Sequence, residues 1–110
     1  MAGKFELKRT SDGQFMFNLK TGNGEIILTS ERYKAKASAQ NGIQSVQTYA
    51  RLDELYERRT SKSDQPYFVL KAANRQIIGV SEMYSSKSAM ENGIRSVKQN
   101  AYRADTTDLT

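Results

Sequence analysis

The residues best equipped for chemistry in this chain come as two matching sets. Ser30, Glu31, Tyr33 and Lys36 form one, and Ser81, Glu82, Tyr84 and Lys87 repeat it at the same spacing. Each set holds a hydroxyl, a carboxylate, a phenol and an ammonium. Gathered in space, these groups would make a pocket for a polar ligand. The spacing also has a structural use. Each set lies between a strand-like and a helix-like pattern, so it can form a corner, with the tyrosine laid over the core and the glutamate paired with the lysine. The structural use is favoured, because a corner built twice must repeat its residues whether or not anything binds there.

Catalysis has little to work with. The chain has 110 residues and contains neither histidine nor cysteine. That removes the commonest general base, the commonest transition-metal ligand, thiolate nucleophiles and disulfides. Glu6 and Glu57 lie on strand faces with Lys20 and Lys71, which suits cross-strand ion pairing. An acid–base pair of carboxyls needs one of them held in a cleft with a raised pKa, and no cleft is indicated. Gly22-Asn23-Gly24 lacks the spacing and the following helix of a phosphate loop. No catalytic, cofactor-binding or metal-binding residue is assigned. The chain reads as a non-enzymatic binding or accessory domain.

The basic residues offer the second functional reading. Net charge is +5 and the pI is about 9.6. Lys8, Arg9, Arg58 and Arg59 end two first strands, Arg32 and Lys34 flank the first corner, and Arg95 and Lys98 share a helix face. Weak, salt-sensitive binding of nucleic acid through these residues is the alternative, since single-strand binders combine such charge with aromatics on a sheet. The lysines, however, alternate with Glu6, Glu25 and Glu31, and the RNA-recognition strand consensus is absent. A mixed-charge solvated surface is favoured. The expected partner is a protein or a nucleic acid, with no cofactor. No segment approaches the roughly 20 apolar residues that span a bilayer, and the N-terminus has no secretory pattern. A membrane partner is not expected, and the expected location is the cytoplasm.

The elements that must position these groups are written twice. Sliding the sequence by 51 positions superposes Glu6 on Glu57, Phe17 on Phe68, Leu19-Lys20 on Leu70-Lys71, Ile26-Ile27 on Ile77-Ile78, and Asn41-Gly42-Ile43 on Asn92-Gly93-Ile94. The repeats run over 4–51 and 55–102. Each half alone has roughly 50 residues and a thin core, so one shared core is expected. Alternation predicts strands at Phe5–Arg9, around Phe15–Lys20 and at Glu25–Glu31, then at Leu55–Thr60, Tyr67–Lys71 and Gln76–Ser81. Turns fall at Ser11-Asp12-Gly13 and at Thr21-Gly22-Asn23-Gly24. Ala39, Ile43, Val46 and Ala50 then switch to helical spacing, as do Met90, Ile94, Val97 and Ala101. Ser88 with Glu91 is placed to form a capping box on the second helix. Gly42 and Gly93 interrupt the helical pattern without ending its stripe, which predicts a close approach to the sheet or to the other helix. Residues 103–110 form a polar tail that can add a strand at the sheet edge.

The predicted fold is α+β: two tandem βββα repeats related by a pseudo-twofold axis, forming one domain over residues 1–110, with an antiparallel sheet packed by two helices. The run Phe-Glu, Phe-x-Leu-Lys, Asn-Gly-Glu-x-Ile, Ser-Glu-x-Tyr and Asn-Gly-Ile-x-Ser-Val resembles the YegP-like family of small bacterial proteins, which carry a tandem-repeated domain of unknown function. The resemblance covers nearly the whole chain. It implies a three-stranded antiparallel unit followed by a helix and a further strand. It also implies that single-repeat members pair as homodimers, so that this chain is a monomer acting as a fused pseudo-dimer. It implies no activity, cofactor or catalytic residue. Arg75, where a glycine is expected, and Lys34-Ala35, where a serine or threonine cap is usual, depart from the pattern.

Overall fold

Strand periodicity and turn chemistry set the first half of each repeat. In the computed structural model, which describes residues 3–110, the elements are β1 (Lys4–Arg9), β2 (Phe15–Lys20), β3 (Ile26–Thr29), α1 (Lys36–Tyr49), a single 3₁₀ turn (Asp53–Leu55), β4 (Tyr56–Thr60), β5 (Pro66–Lys71), β6 (Ile77–Val80), α2 (Lys87–Ala101) and β7 (Asp105–Asp108). The third strands are shorter than the alternation predicts. Each leaves the sheet before its Ser-Glu pair.

The sheet order is β4-β5-β6-β3-β2-β1-β7. Apart from β7, its six strands read the same from either end, so the pseudo-twofold axis passes between β3 and β6. These two strands meet antiparallel through the pair Thr29↔Val80. The expectation of a wholly antiparallel sheet is corrected at one edge. β7 lies parallel to β1, with Lys4 opposite Asp105 and Leu7 opposite Asp108. After α2 the chain is free to run back along β1, and a parallel neighbour needs only such a long crossover.

Both helices cover one face. Phe5, Leu7, Phe17 and Leu19 from the first repeat and Phe68 and Leu70 from the second meet Ala39, Ile43, Val46, Met90, Ile94 and Val97 in a single cluster. Phe5, Phe17 and Phe68 have no exposed surface, and burial stabilises by about 1.5–3 kcal/mol for each such side chain. The second face of the sheet carries Lys4, Glu6, Lys8, Met16, Asn18 and Lys20 on one side, and Glu57, Arg59, Tyr67, Val69 and Lys71 on the other, as the register of the ladders requires.

The helix glycines are accounted for by a tyrosine from the preceding corner. A Cβ on Gly42 would lie 2.7 Å from the Tyr33 hydroxyl and 2.9 Å from Phe17, and one on Gly93 would lie 2.2 Å from the Tyr84 hydroxyl. Each helix runs unbroken through its Asn-Gly pair. Glycine in a helix interior costs about 1 kcal/mol against alanine, and here it admits a phenol ring against the helix backbone.

The caps differ from expectation. The capping box of Ser88 with Glu91 does not form. Ser86 is the N-cap of α2, its hydroxyl accepting the Ala89 N–H at 3.0 Å, and Ser88 lies inside the helix. Glu91 is drawn away by Arg58. At the start of α1, Ala35 occupies the N-cap position with no side-chain cap, which is the consequence of Lys34-Ala35 in the sequence.

The junction at the axis is not symmetric. Leu28 and Gly79 occupy matching positions in the two repeats, and a Cβ on Gly79 would lie 2.6 Å from the Leu28 side chain. The leucine of one repeat fills the place that the glycine of the other leaves open.

Candidate functional site

Ser30 and Ser81 sit where β3 and β6 leave the sheet, and both hydroxyls are committed there. The Ser30 N–H donates to the Phe17 carbonyl at 2.9 Å. Its hydroxyl accepts the Phe17 N–H at 2.9 Å and donates to the Glu31 carbonyl at 2.7 Å. Ser81 repeats this on Phe68, accepting its N–H at 3.0 Å and donating to the Glu82 carbonyl at 2.8 Å. The hydroxyl stands in for a strand carbonyl. Without it, a buried N–H would lose its partner, which costs about 1–3 kcal/mol.

The tyrosines turn to the helix side. Tyr33 stacks on Phe17 with ring centroids 6.4 Å apart, and Tyr84 on Phe68 at 6.2 Å. Burial pushes both phenols above their ordinary pKa, and Glu31 beside Tyr33, with Glu82 and Glu25 near Tyr84, adds to the shift. The backbone of Tyr33 exchanges two hydrogen bonds with Phe15, whereas Tyr84 only donates to Pro66, which has no N–H to return.

The expected pairing of the corner glutamates with the corner lysines is corrected. Lys36 reaches Asp108 of β7 at 2.5 Å, and Lys87 has no carboxylate within ion-pair distance among the described residues. Glu31 and Glu82 go instead to the uncovered face. There they line a groove of about 460 Å³ over the β3–β6 junction, together with Ile26, Thr29, Ser30, Ile77, Val80 and Ser81. The four groups of each corner therefore separate to the two sides of the sheet, and the glutamates of both corners line one groove.

The groove was legible in part. Ile26-Ile27 and Ile77-Ile78 put apolar side chains on both faces of their strands, which is the pattern of a strand covered on both sides. Ile27 and Ile78 are buried in the core, while Ile26 is 38% exposed and nearby Met83 44% exposed. Equal positions in a repeat gave no hint that the axis would bring them together.

The eight basic candidates do not form one surface. Lys8 lies 3.7 Å from Glu6, which Lys4 at 3.5 Å and Lys20 at 2.8 Å also surround. Glu6 is 8% exposed, and its carboxyl is held below the usual range by the Lys20 hydrogen bond and, less strongly, by Lys8 and Lys4. Arg9 covers the Phe15 ring at 4.9 Å, and Arg32 lies 3.6 Å from Asp12. Lys34 makes no ion pair among the described residues. Arg58 grips Glu91 through two nitrogens at 2.7 and 3.0 Å and reaches Asp53 at 3.2 Å. Arg59 pairs with Glu57, Lys98 with Asp53 at 2.9 Å, and Arg95 bonds to Asn92. Lys71 reaches Glu57 at 3.2 Å, the counterpart of Lys20 on Glu6.

No helix is long and apolar enough to cross a membrane among the described residues. A family model described as a domain of unknown function, DUF1508, matches the chain twice in tandem, over residues 10–57 and 61–108. Each match begins at the end of a first strand and closes in the strand that follows a helix. A UPF0339 protein of Acinetobacter baylyi is 56% identical over 110 residues, covering 100% of this chain and 99% of its own length. The UPF0339 protein YegP of Yersinia pestis is 53% identical over 108 residues, 98% of this chain and 96% of that one. Two solution NMR structures superpose closely. A UPF0339 protein of Shewanella oneidensis gives a TM-score of 0.94 at 54% identity, covering 100% of this chain and 93% of that one. YegP of E. coli, described as a protein of unknown function, gives 0.95 at 52% identity, covering 100% and 95%. Sequence and fold agree over the full length, and the chain, with its two tandem DUF1508 units, belongs to the UPF0339 family.

Proposed function

We propose that the chain is a non-enzymatic binding module that docks a partner protein in the groove over the β3–β6 junction. One observation carries this reading. A groove lined by Ile26, Ile77 and Val80 lies over the β3–β6 junction, is contributed equally by both repeats, and has a glutamate from each among its lining residues. Glu31 and Glu82 make no ion pair among the described residues, unlike Glu6 and Glu57 on the same face. The complementary partner segment is aliphatic at its centre and carries a lysine or arginine on either side. Exposed Ile26 supplies apolar area where a partner's side chains would settle. The module acts as a monomer in the cytoplasm, since one chain already supplies both halves of the groove.

Nucleic-acid binding has less support. Of its eight candidate residues, most are engaged by neighbouring carboxylates, and they are divided among β1, β4, a corner and α2.

The test is site-specific photo-crosslinking in the native host, with a photoreactive residue at Ile26 or Ile77 and, as control, at exposed Tyr102. A discrete adduct at both groove positions, absent at Tyr102 and lost when Glu31 and Glu82 become lysine, is the expected result. Equal adducts at all three positions, or none in the groove, overturns the reading.

A further inference from the structure

The two ends of the sheet are built alike but finished differently. At the first-repeat end, β7 lies against the outer edge of β1, and the Leu109 N–H donates to the Leu7 carbonyl at 2.8 Å. Lys36, the first residue of α1, fixes β7 through Asp108 at 2.5 Å. At the second-repeat end, the strand matching β1 is β4, which pairs with β5 alone. The chain cannot fill the place beside it. The segment after α1 that would correspond to β7 is itself used to begin β4.

We propose that the free edge of β4 is a binding site for an extended acidic peptide, which adds to the sheet parallel to β4 as β7 adds to β1. Three features support this occupant. First, the ladder phase is the same at both ends: Thr10 N–H to Gln14 is matched by Ser61 N–H to Gln65, both at 2.8 Å. Alternation then turns the backbone groups of Tyr56, Arg58 and Thr60 outward, as it turns those of Phe5, Leu7 and Arg9 towards β7. Second, the lysine is kept. Lys87 is the counterpart of Lys36 and lies in a cleft of about 310 Å³ along this edge, with no ion pair of its own among the described residues. Third, the charge is complementary. Arg58, Arg59 and Lys87 line the cleft; Arg58 is held by Glu91 and Asp53 and Arg59 by Glu57, which leaves Lys87 as its cation without an ion pair among the described residues. Strand addition draws its affinity from main-chain hydrogen bonds and its selectivity from such side-chain contacts. Charged residues also blunt edges against aggregation. That role accounts for Arg58 and Arg59, but it does not require a lysine at the start of α2.

The probe is a synthetic peptide of residues 103–110, Arg-Ala-Asp-Thr-Thr-Asp-Leu-Thr, titrated into the ¹⁵N-labelled full chain up to about 1 mM, the range where a strand freed from its tether still binds. Amide shifts confined to Tyr56, Arg58, Thr60 and the start of α2 are expected. Lys87→Ala in the protein, or asparagine for the second aspartate of the peptide, should weaken binding several-fold, while Lys36→Ala should not. Shifts at β1 instead, which would mean that the peptide merely displaces β7, overturn the proposal. So does the absence of shifts, or binding that Lys87→Ala leaves unchanged. Dimerisation of the unliganded chain through this edge, seen by sedimentation and abolished by Lys87→Ala, would place a second copy's β7 there and replace the free peptide as occupant.

Discussion

The two repeats share a backbone and differ in how they meet its demands. The first places Gly13 and Gly24 at its two positive-φ turn positions, and the second places Asp64 at φ 64° and Arg75 at φ 72°. On the uncovered face, the first has Asn18 hydrogen-bonded to Thr29 at 2.9 Å, where the second has Val69 beside Val80. On the first strand of each repeat, Leu7 is buried in the core, and its counterpart Arg58 is exposed to solvent and paired with Glu91. At the axis, Leu28 faces Gly79. One fold therefore tolerates polar-for-apolar exchange wherever the exchange is made on both partners at once, because what costs energy is an unmatched group rather than a polar one. It also tolerates a strained turn in one copy when the core beneath is unchanged.

The largest effect is expected where the repeats touch. Leu28→Gly alone opens a cavity and should cost about 2–5 kcal/mol, and Gly79→Leu alone should cost about 1–3 kcal/mol through overpacking. The double reversal restores a leucine over a glycine from the opposite side. Its loss in urea denaturation should fall short of the sum of the singles by about 0.5–3 kcal/mol. Simple additivity would show that the axis is not a knob-and-hole contact.

Next comes the second hairpin. Arg75→Gly relieves a left-handed arginine and should stabilise by about 1 kcal/mol, read as a higher urea midpoint. The reverse experiment, Gly24→Ala in the first repeat, should lose a similar amount. If Arg75→Gly is neutral, the turn holds its arginine by contacts that offset the strain.

The smallest effect concerns the two lysines. The Lys36 hydrogen bond, with further bonds from Thr110, holds the Asp108 carboxyl well below the usual carboxylate range. A lowered folded-state pKa contributes stability above the unfolded value of about 4 and loses it as pH falls through the depressed value. Protection of the Leu109 amide from exchange should therefore decline below about pH 4 in the wild type. Lys36→Ala should lower that protection already at neutral pH, and Lys87→Ala should leave it unchanged. Equal effects from both lysines would contradict the assignment of Lys36 alone to β7.

Local patterns made most of the fold readable. Alternation placed six strands, and the stripe from Ala39 to Ala50 placed a helix through an Asn-Gly pair that invited a turn. The shared core followed from the short repeat. The site was less readable, because its determinants are not local. Ser30 and Tyr33 look alike as polar residues in a corner, yet the serine hydroxyl completes a strand ladder and the phenol enters a gap over Gly42. Which face each takes depends on where β3 leaves β2. The meeting of Glu31 with Glu82 depends on the axis, and the pairing of Lys36 with Asp108 spans most of the chain. The Ser88–Glu91 expectation failed because Ser86, two residues earlier, has extended backbone and a hydroxyl in reach of Ala89, while Glu91 has a stronger partner in Arg58.

The pairing of β7 with β1 also has a consequence in time. Among these elements β1 is made first and β7 last, so the outer edge of β1 stays vacant until β7 emerges. Until then, the nascent chain presents two similar open edges, and only one of them is destined to close. An acidic strand from a neighbouring nascent chain could occupy either. The same pairing brings the first and last strands side by side but parallel, so a permutant that joins them and opens the chain between β3 and α1 needs a crossover of about a dozen residues. It would bring β7 and β1 close in sequence and move the late vacancy from the outer side of β1 to the β3 side of β6.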